Sequence, residues 1–231
     1  MSDGCYINNI YVTWEESNLF NMYCLFLRGR IERESFIDEF KYDNFDRAEK
    51  LYNEIMKIMK QTLVINLIGG PGSGKSTCAS GIFYQLKKLG VNCELALEFA
   101  KDKVWEDSIK VLDDQLYVFG KQYHKLFRLK DKVDVIITDS PLLVSIIYNK
   151  TPSKYFNQLV VEQYNTFNNL LFYIKRPEIY QNEGRLQAKD EAEAIDNITK
   201  NMFQLYNITY KEISCEDAVE HIVQIVLDKL N

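Results

Sequence analysis

A glycine-rich segment directly after a short apolar run constrains the fold of this chain more than any other feature. The run is Leu63–Ile68, and the segment reads Gly69-Gly70-Pro71-Gly72-Ser73-Gly74-Lys75-Ser76-Thr77. This is the G-x-x-x-x-G-K-[ST] pattern of a phosphate-binding loop between a strand and a helix. Backbone N–H groups of such a loop surround a phosphate, Lys75 bridges the β- and γ-phosphates, and the Ser76 hydroxyl binds Mg2+. The sequence therefore predicts a site for a nucleoside triphosphate with Mg2+.

Length and composition narrow the class of loop-containing protein to which this chain can belong. The chain has 231 residues, enough for one sizeable domain and an appendage. Its net charge of −5 argues against a protein that works on nucleic acid, where a basic surface is expected. No apolar stretch approaches the roughly 18 residues that a membrane span needs. We therefore expect a small-molecule substrate and no membrane association.

Cysteine usage and the amino terminus both favour a cytoplasmic protein. The five cysteines are scattered without a C-x-x-C pair, which is typical of reduced thiols. The first four residues lack the basic and apolar regions of a secretory signal. Abundant Asn, Lys, Ile and Tyr suggest an AT-rich coding sequence, as in a phage or a low-GC bacterium. A phage protein would work in the host cytoplasm.

Residues 61–231 are predicted to form one α/β domain. Short apolar runs alternate there with segments of helical periodicity, which indicates a parallel sheet with helices on both faces. The predicted strands cover residues 63–68, 91–97, 134–138, 170–174 and 208–213. The predicted helices cover residues 76–89, 113–129, 155–167, 191–206 and 215–230. A polar loop is predicted between the fourth strand and the helix that follows it, over residues 178–189.

Residues 1–60 do not follow this alternation and are predicted to form a small helical appendage. Two apolar stripes at helical spacing support this prediction. They consist of Leu19, Phe20, Tyr23, Phe26 and Leu27, and of Ala48, Leu51, Tyr52, Ile55 and Met59. Four roles stay open: a surface for a protein partner, a homodimer contact, a wall of the substrate pocket, or a structural layer over the edge of the sheet.

Two acids stand at the predicted carboxyl ends of strands, where ligands bind in open parallel sheets. Asp139 ends the apolar strand Val135-Ile136-Ile137-Thr138, and it is expected to hold Mg2+ beside the Ser76 hydroxyl. The alternative is a turn or helix-capping acid before Pro141.

Glu98 follows the second predicted strand, next to the phosphate loop. Its carboxylate is predicted to accept the proton of an attacking hydroxyl or to anchor the acceptor. Asp102 and Glu106 lie in the next segment and are rivals for this role. The alternative for Glu98 is an exposed surface acid.

Two arginines near the fourth strand are candidates for phosphate contacts. Arg185 lies in the polar loop after Gly184, and a guanidinium there could close over the transferred phosphate. Arg176, just before Pro177, is the second candidate. The alternative for both is a solvated surface arginine.

Three blocks of the sequence resemble P-loop nucleoside and nucleotide kinases, in particular the small kinase-like ATPases of tailed phages, which are related to the ribosylnicotinamide kinase domain. The blocks are the loop itself, Glu98-Phe99-Ala100-Lys101-Asp102 and Ile137-Thr138-Asp139-Ser140-Pro141-Leu142. The resemblance implies a three-layer P-loop NTPase fold whose five-stranded parallel sheet has the order 2-3-1-4-5. It also implies a lid arginine matching Arg185, and transfer of the ATP γ-phosphate to a small acceptor.

The leading hypothesis is an ATP- and Mg2+-dependent kinase for a nucleoside, nucleotide or related ribosylated compound. Lys75, Glu98, Asp139 and Arg185 would be its catalytic residues. Two alternatives remain: a nucleotide-dependent switch that meets a protein partner, and a kinase for a modified base in DNA. The nucleotide would be bound by the loop residues together with Arg176, and Mg2+ by Ser76 and Asp139.

Overall fold

The computed structural model describes residues 4–7, 10–27, 46–51, 61–150, 153–176 and 189–230. Within the chain, Met1–Gln61 and Thr62–Asn231 form two compact units. Residues 178–188 of the predicted polar loop, including Arg185, fall outside the described residues, whereas Lys189 already begins a helix.

The first unit contains helices and also a β-hairpin. Strands β1 (Gly4–Ile7) and β2 (Ile10–Thr13) pair antiparallel, and α1 (Trp14–Leu27) follows directly. A capping box starts α1, because the Thr13 hydroxyl accepts the Glu16 N–H at 3.2 Å while the Glu16 carboxylate accepts the Thr13 N–H at 2.9 Å. Residues 46–51 form a second helix, α2. The prediction named helices alone, and the hairpin is an addition to it.

The predicted apolar stripes of this unit are partly described. Leu19, Phe20, Tyr23 and Ala48 are buried. The side chains of Phe26 and Leu27, and residues Tyr52, Ile55 and Met59, lie outside the description.

The second unit alternates strands and helices as predicted. Its strands are β3 (Leu63–Ile68), β4 (Cys93–Leu95), β5 (Val135–Thr138), β6 (Asn168–Lys175) and β7 (Lys211–Ser214). Its helices are α3 (Lys75–Lys88), α4 (Phe99–Trp105), α5 (Gln115–Phe127), α6 (Val144–Ile147), α7 (Lys154–Asn165), α8 (Lys189–Leu205) and α9 (Ala218–Leu230). A 3-10 turn spans Ile109–Asp113.

The five strands form one parallel sheet in the order β4-β5-β3-β6-β7. Numbered within the sheet, this is the predicted order 2-3-1-4-5. The central strand β3 pairs with β5 on one side and with β6 on the other, so that Leu63 lies opposite both Val135 and Asn168. The carboxyl ends of all five strands therefore meet at one edge of the sheet, where a ligand is expected.

Helices cover both faces of the sheet, and β3 is buried on both. Ile65 and Leu67 pack into a core with residues of α3 and α9, whereas Val64 and Ile68 pack on the opposite face with residues of α5, α7 and α8. Successive side chains of a strand point to opposite faces, so a continuous apolar run is what a strand between two helical layers requires. The predicted three-layer α/β fold is confirmed.

Boundaries differ from the prediction mainly at the two edge strands. β4 is limited to three residues, because it pairs with β5 alone over Cys93–Leu95. β7 begins at Lys211, three residues later than predicted, since Ile208 and Tyr210 pack against the core before the strand starts. The helix α4 was not predicted.

Serine side chains cap the first turns of two helices. The Ser153 hydroxyl accepts the Phe156 N–H at 3.3 Å at the start of α7. The Ser214 hydroxyl accepts the Asp217 N–H at 3.1 Å before α9.

No helix in the described ranges is long and apolar enough to cross a membrane.

Close packing of α3 on α9 depends on Gly81. A Cβ atom at this position would lie 2.9 Å from Cγ2 of Val219, which is closer than carbon atoms can pack. We expect Gly81→Ala to lower the free energy of unfolding relative to a neutral helix substitution by about 1–3 kcal/mol, the usual effect of overpacking. Urea denaturation measures this change.

Gly120 is the matched control, since it also lies inside a helix but would place its Cβ in open space. Gly120→Ala should stabilise the protein by about 0.4–1 kcal/mol, because alanine has the higher helix propensity. Adding Val219→Ala should restore part of the stability lost in Gly81→Ala. Equal stabilisation by both glycine substitutions would contradict the packing argument.

Candidate functional site

The phosphate loop connects the carboxyl end of β3 to the first residue of α3. Two of its positions require glycine, because neighbouring atoms leave no room for a Cβ atom and because the φ angles are positive. A Cβ on Gly69 (φ 153°) would lie 2.6 Å from the backbone oxygen of Ile174, and one on Gly74 (φ 84°) would lie 2.3 Å from Sγ of Cys215. The loop is thus packed between the ends of β6 and β7. Beyond Gly74, the first N–H groups of α3 have no partner within the helix and provide an anion site.

Lys75 is folded back over the loop. Its Nζ donates hydrogen bonds to the backbone oxygens of Gly69 at 2.8 Å and Gly70 at 3.0 Å. Burial lowers the pKa of this ammonium group, while the nearby carboxylates of Glu98 and Asp139 oppose that shift. These acids keep a positive charge favourable at the loop.

Asp139 links the phosphate loop to the second acid. It follows β5 and is 3% exposed. Its Oδ2 accepts the Ser76 hydroxyl at 2.5 Å, and its Oδ1 accepts the Glu98 N–H at 3.0 Å. The structure therefore brings three of the predicted residues together, in contacts that a turn acid before Pro141 would not need.

Ser76 and Asp139 present oxygen ligands, which suit Mg2+. In the described part of the chain, no group of three or more His, Cys, Asp or Glu side chains could hold a metal ion by itself. A Mg2+ ion commonly has few protein ligands and completes its shell with phosphate oxygens and water. Ser73, also a residue of the phosphate loop, has a buried hydroxyl, and no hydrogen-bond partner for this hydroxyl is found among the described residues. The residues present fit a Mg–nucleotide.

Glu98 occupies the N-cap position of α4, two residues beyond the buried Ala96. Burial raises the pKa of its carboxyl group, and the negative charge of Asp139 adds to this effect. A partly buried carboxyl whose pKa lies above its usual value accepts a proton more readily than an exposed one. Gln122 braces this region, because its Oε1 accepts the Phe99 N–H at 3.0 Å and its Nε2 donates to the Ala96 oxygen at 3.3 Å.

The two rival acids lie at the surface. The Asp102 carboxylate pairs with Lys125 at 3.4 Å, and Glu106 pairs with Lys103. Both carboxylates are more than half exposed. Their exposure favours Glu98 over both rivals, since the charge of Glu98 acts on Lys75 of the loop.

Arg176 lies one residue beyond β6, and its side chain is only 14% exposed, so it is not a solvated surface arginine. Its Nη2 donates to Oδ2 of Asp196 at 2.9 Å. The other oxygen of Asp196 accepts the Gly70 N–H at 2.8 Å. The sequence analysis missed Asp196, although one signal was present: it shares a face of α8 with the buried residues Thr199 and Phe203.

Tyr148 is a second residue that the sequence analysis missed. Partial burial raises the pKa of its phenol, although the residue is 39% exposed, and the charges of Glu98 and Asp196 raise this pKa further. The phenol therefore lies within electrostatic reach of both carboxylates.

Comparison with known proteins identifies a family and structures of similar fold. A family model described as an AAA domain matches residues 64–220, which is more than half of the chain. No curated protein sequence gives a significant match. Among solved structures, NadR in complex with NR superimposes with a TM-score of 0.53 at 12% identity, over 81% of this chain and 59% of the NadR chain.

Two further structures match with lower scores. Deoxyadenosine kinase from M. mycoides has a TM-score of 0.44 at 18% identity, over 73% of this chain and 98% of its own. Shikimate kinase from Acinetobacter baumannii has a TM-score of 0.44 at 16% identity, over 75% of this chain and 97% of its own.

The raised pKa of Glu98 predicts how the Glu98→Gln variant depends on pH. The folded state holds the Glu98 proton more tightly than the unfolded chain, so this group favours folding most at low pH. Its contribution falls as pH rises from the usual value of 4.5 through the raised folded pKa. Glutamine does not ionise, so the stability of Glu98→Gln relative to wild type should increase over this interval and then stay level. Urea denaturation between pH 4.5 and 8 measures it.

The low-pH end of this series serves as the internal reference, because there the folded wild type holds its proton on Glu98 most fully and most resembles the uncharged variant. A relative stability that stays constant or falls with rising pH would contradict the raised pKa.

Proposed function

Because the chain belongs to the AAA domain family and has a P-loop nucleotide-binding fold of the kinase type, we propose that it is an ATP- and Mg2+-dependent phosphotransferase. It moves the γ-phosphate to a hydroxyl group of a small acceptor, namely a nucleoside, a nucleotide or a related ribosylated compound. One observation carries this proposal. The Asp139 carboxylate contacts both the loop hydroxyl of Ser76 and the backbone of Glu98, which supports a nucleotide and an acceptor bound side by side.

Lys75 and the N–H groups of the loop and of α3 bind the phosphates. Ser76 and Asp139 hold Mg2+, which when bound neutralises charge on the β- and γ-phosphates. Arg176 lies within electrostatic reach of Lys75 and adds a second positive charge near the loop. Catalysis by such a site is mainly positioning and stabilisation of charge. Arg185 remains a prediction as a further phosphate contact.

Glu98 acts on the acceptor. Its carboxylate accepts the proton of the attacking hydroxyl while the new oxygen–phosphorus bond forms and the bond to the ADP oxygen breaks. The raised pKa supports this role, because a base works best when its pKa lies closer to the working pH. The structural likeness to NadR makes NR one acceptor to include among those tested.

A ligand screen tests the proposed reaction. Thermal unfolding is followed with Mg2+, a non-hydrolysable ATP analogue and one acceptor at a time, because a ligand of the folded state raises its apparent stability. ADP release with ATP then identifies true substrates. If none of the acceptors, tested one at a time, changes the rate of ATP hydrolysis, the result favours the nucleotide-dependent switch and rejects the transferase.

Glu98→Gln separates catalysis from nucleotide binding. We expect the turnover number with the identified acceptor to fall by roughly 10²–10⁴-fold, the usual contribution of a general base. The affinity for the ATP analogue should stay close to that of wild type, because the loop and Lys75 are unchanged. Steady-state kinetics and a binding titration measure the two quantities.

Asp102→Asn is the matched control, since Asp102 is an acid four residues further along with an exposed side chain. It should keep nearly full turnover. If Asp102→Asn loses activity and Glu98→Gln retains it, the base has been assigned to the wrong acid.

A further inference from the structure

A partly buried ion pair lies at the start of the phosphate loop. The Arg176 and Asp196 side chains are 14% and 24% exposed, and their charged groups are 2.9 Å apart. Arg176 comes from the end of β6, whereas Asp196 lies in the middle of α8. Charge-assisted hydrogen bonds of this kind are stronger than neutral ones, and burial reduces their screening by solvent.

The two carboxylate oxygens of Asp196 have different partners. Oδ2 accepts from Arg176, and Oδ1 accepts from the Gly70 N–H at 2.8 Å. One carboxylate therefore joins the phosphate loop, the end of β6 and α8. The preceding residue, Gly69, is packed against the backbone oxygen of Ile174. The first two residues of the loop are thus held against the same end of the sheet.

The ion pair also belongs to the electrostatic surroundings of the phosphate site. The charges of both Asp196 and Arg176 act on the Lys75 ammonium group. An arginine side chain has many rotamers, and its planar guanidinium loses less freedom when a partner fixes its orientation beforehand. Asp196 supplies that partner from a helix, which is a more rigid support than a loop.

We propose that Asp196 is a positioning residue of the nucleotide site. It fixes the Gly70 end of the phosphate loop and holds the Arg176 guanidinium where that group contacts the phosphates of the bound nucleotide. The inference rests on the proposed function only for the identity of the ligand, a Mg–nucleoside triphosphate, and it requires no acceptor.

A double-mutant cycle on nucleotide binding tests this role. The dissociation constant of a non-hydrolysable ATP analogue with Mg2+ is measured by calorimetric titration for wild type, Asp196→Asn, Arg176→Ala and the double variant. Asp196→Asn should weaken binding by about tenfold, the effect of losing one charge-assisted hydrogen bond. Arg176→Ala should weaken it at least as much. The double variant should bind no more weakly than Arg176→Ala, because the asparagine amide oxygen can still accept the Gly70 N–H and the contact that is lost is the one to Arg176.

The control is a second ion pair on the same helix, formed with the edge strand β7. Lys200, one turn after Asp196, pairs with Glu212 of β7 at 2.9 Å. Glu212→Gln breaks this pair and should leave the affinity for the analogue unchanged. Unchanged affinity in Asp196→Asn, tighter binding, or additive losses in the double variant would each overturn the proposal.

A second variant keeps the test valid if Asp196→Asn does not fold. Arg176→Lys keeps the positive charge but loses the planar fork that pairs with a carboxylate. It should bind the analogue more weakly than wild type and more tightly than Arg176→Ala, whereas full affinity would overturn the positioning role.

The outcomes separate this inference from the proposed function. A protein that shows the predicted coupling but phosphorylates no acceptor supports the role of Asp196 and rejects the transferase. A protein that has acceptor-dependent activity but keeps its affinity for the analogue in Asp196→Asn supports the transferase and rejects the role of Asp196.

Discussion

The position of β3 between two parallel neighbours is the constraint on which the site depends. Because β5 and β6 both run parallel to β3, the residues after these three strands share one edge of the sheet. The phosphate loop, Asp139 and Arg176 are those residues. Their meeting place follows from hydrogen bonding in the strands and burial of both faces. Glu98, which follows the edge strand β4, lies at the same edge, and α8 adds Asp196 to it.

Much of this could be predicted from the sequence, because local signals and the general rule for parallel sheets point the same way. The run Leu63–Ile68 is apolar at every position except Asn66, as a strand covered on both faces must be, and the loop pattern follows it at once. Glu98 and Asp139 could be placed from strand ends alone. The sheet order came from the resemblance, since periodicity does not determine which strands pair.

What could not be predicted depends on distances between residues far apart in the sequence. Asp196 lies in a helix near the carboxyl end, and only the packing of α8 brings its carboxylate to the Gly70 amide. The short edge strand β4 was overestimated because Val91 and Leu97 are apolar although neither pairs in the sheet. The hairpin before α1 was missed because its strands have only four residues each.

The contact between Gly74 and Cys215 has a consequence for how this sequence can change. The sulfur atom occupies the space that a side chain at position 74 would need, and Gly74 cannot move without disturbing Lys75 beside it. The phosphate loop thus sets an upper limit on the size of residue 215, near the far end of the chain. Residues 74 and 215 occupy adjoining space with no room to spare. A larger side chain at either position fits only if the ends of β3 and β7 move apart.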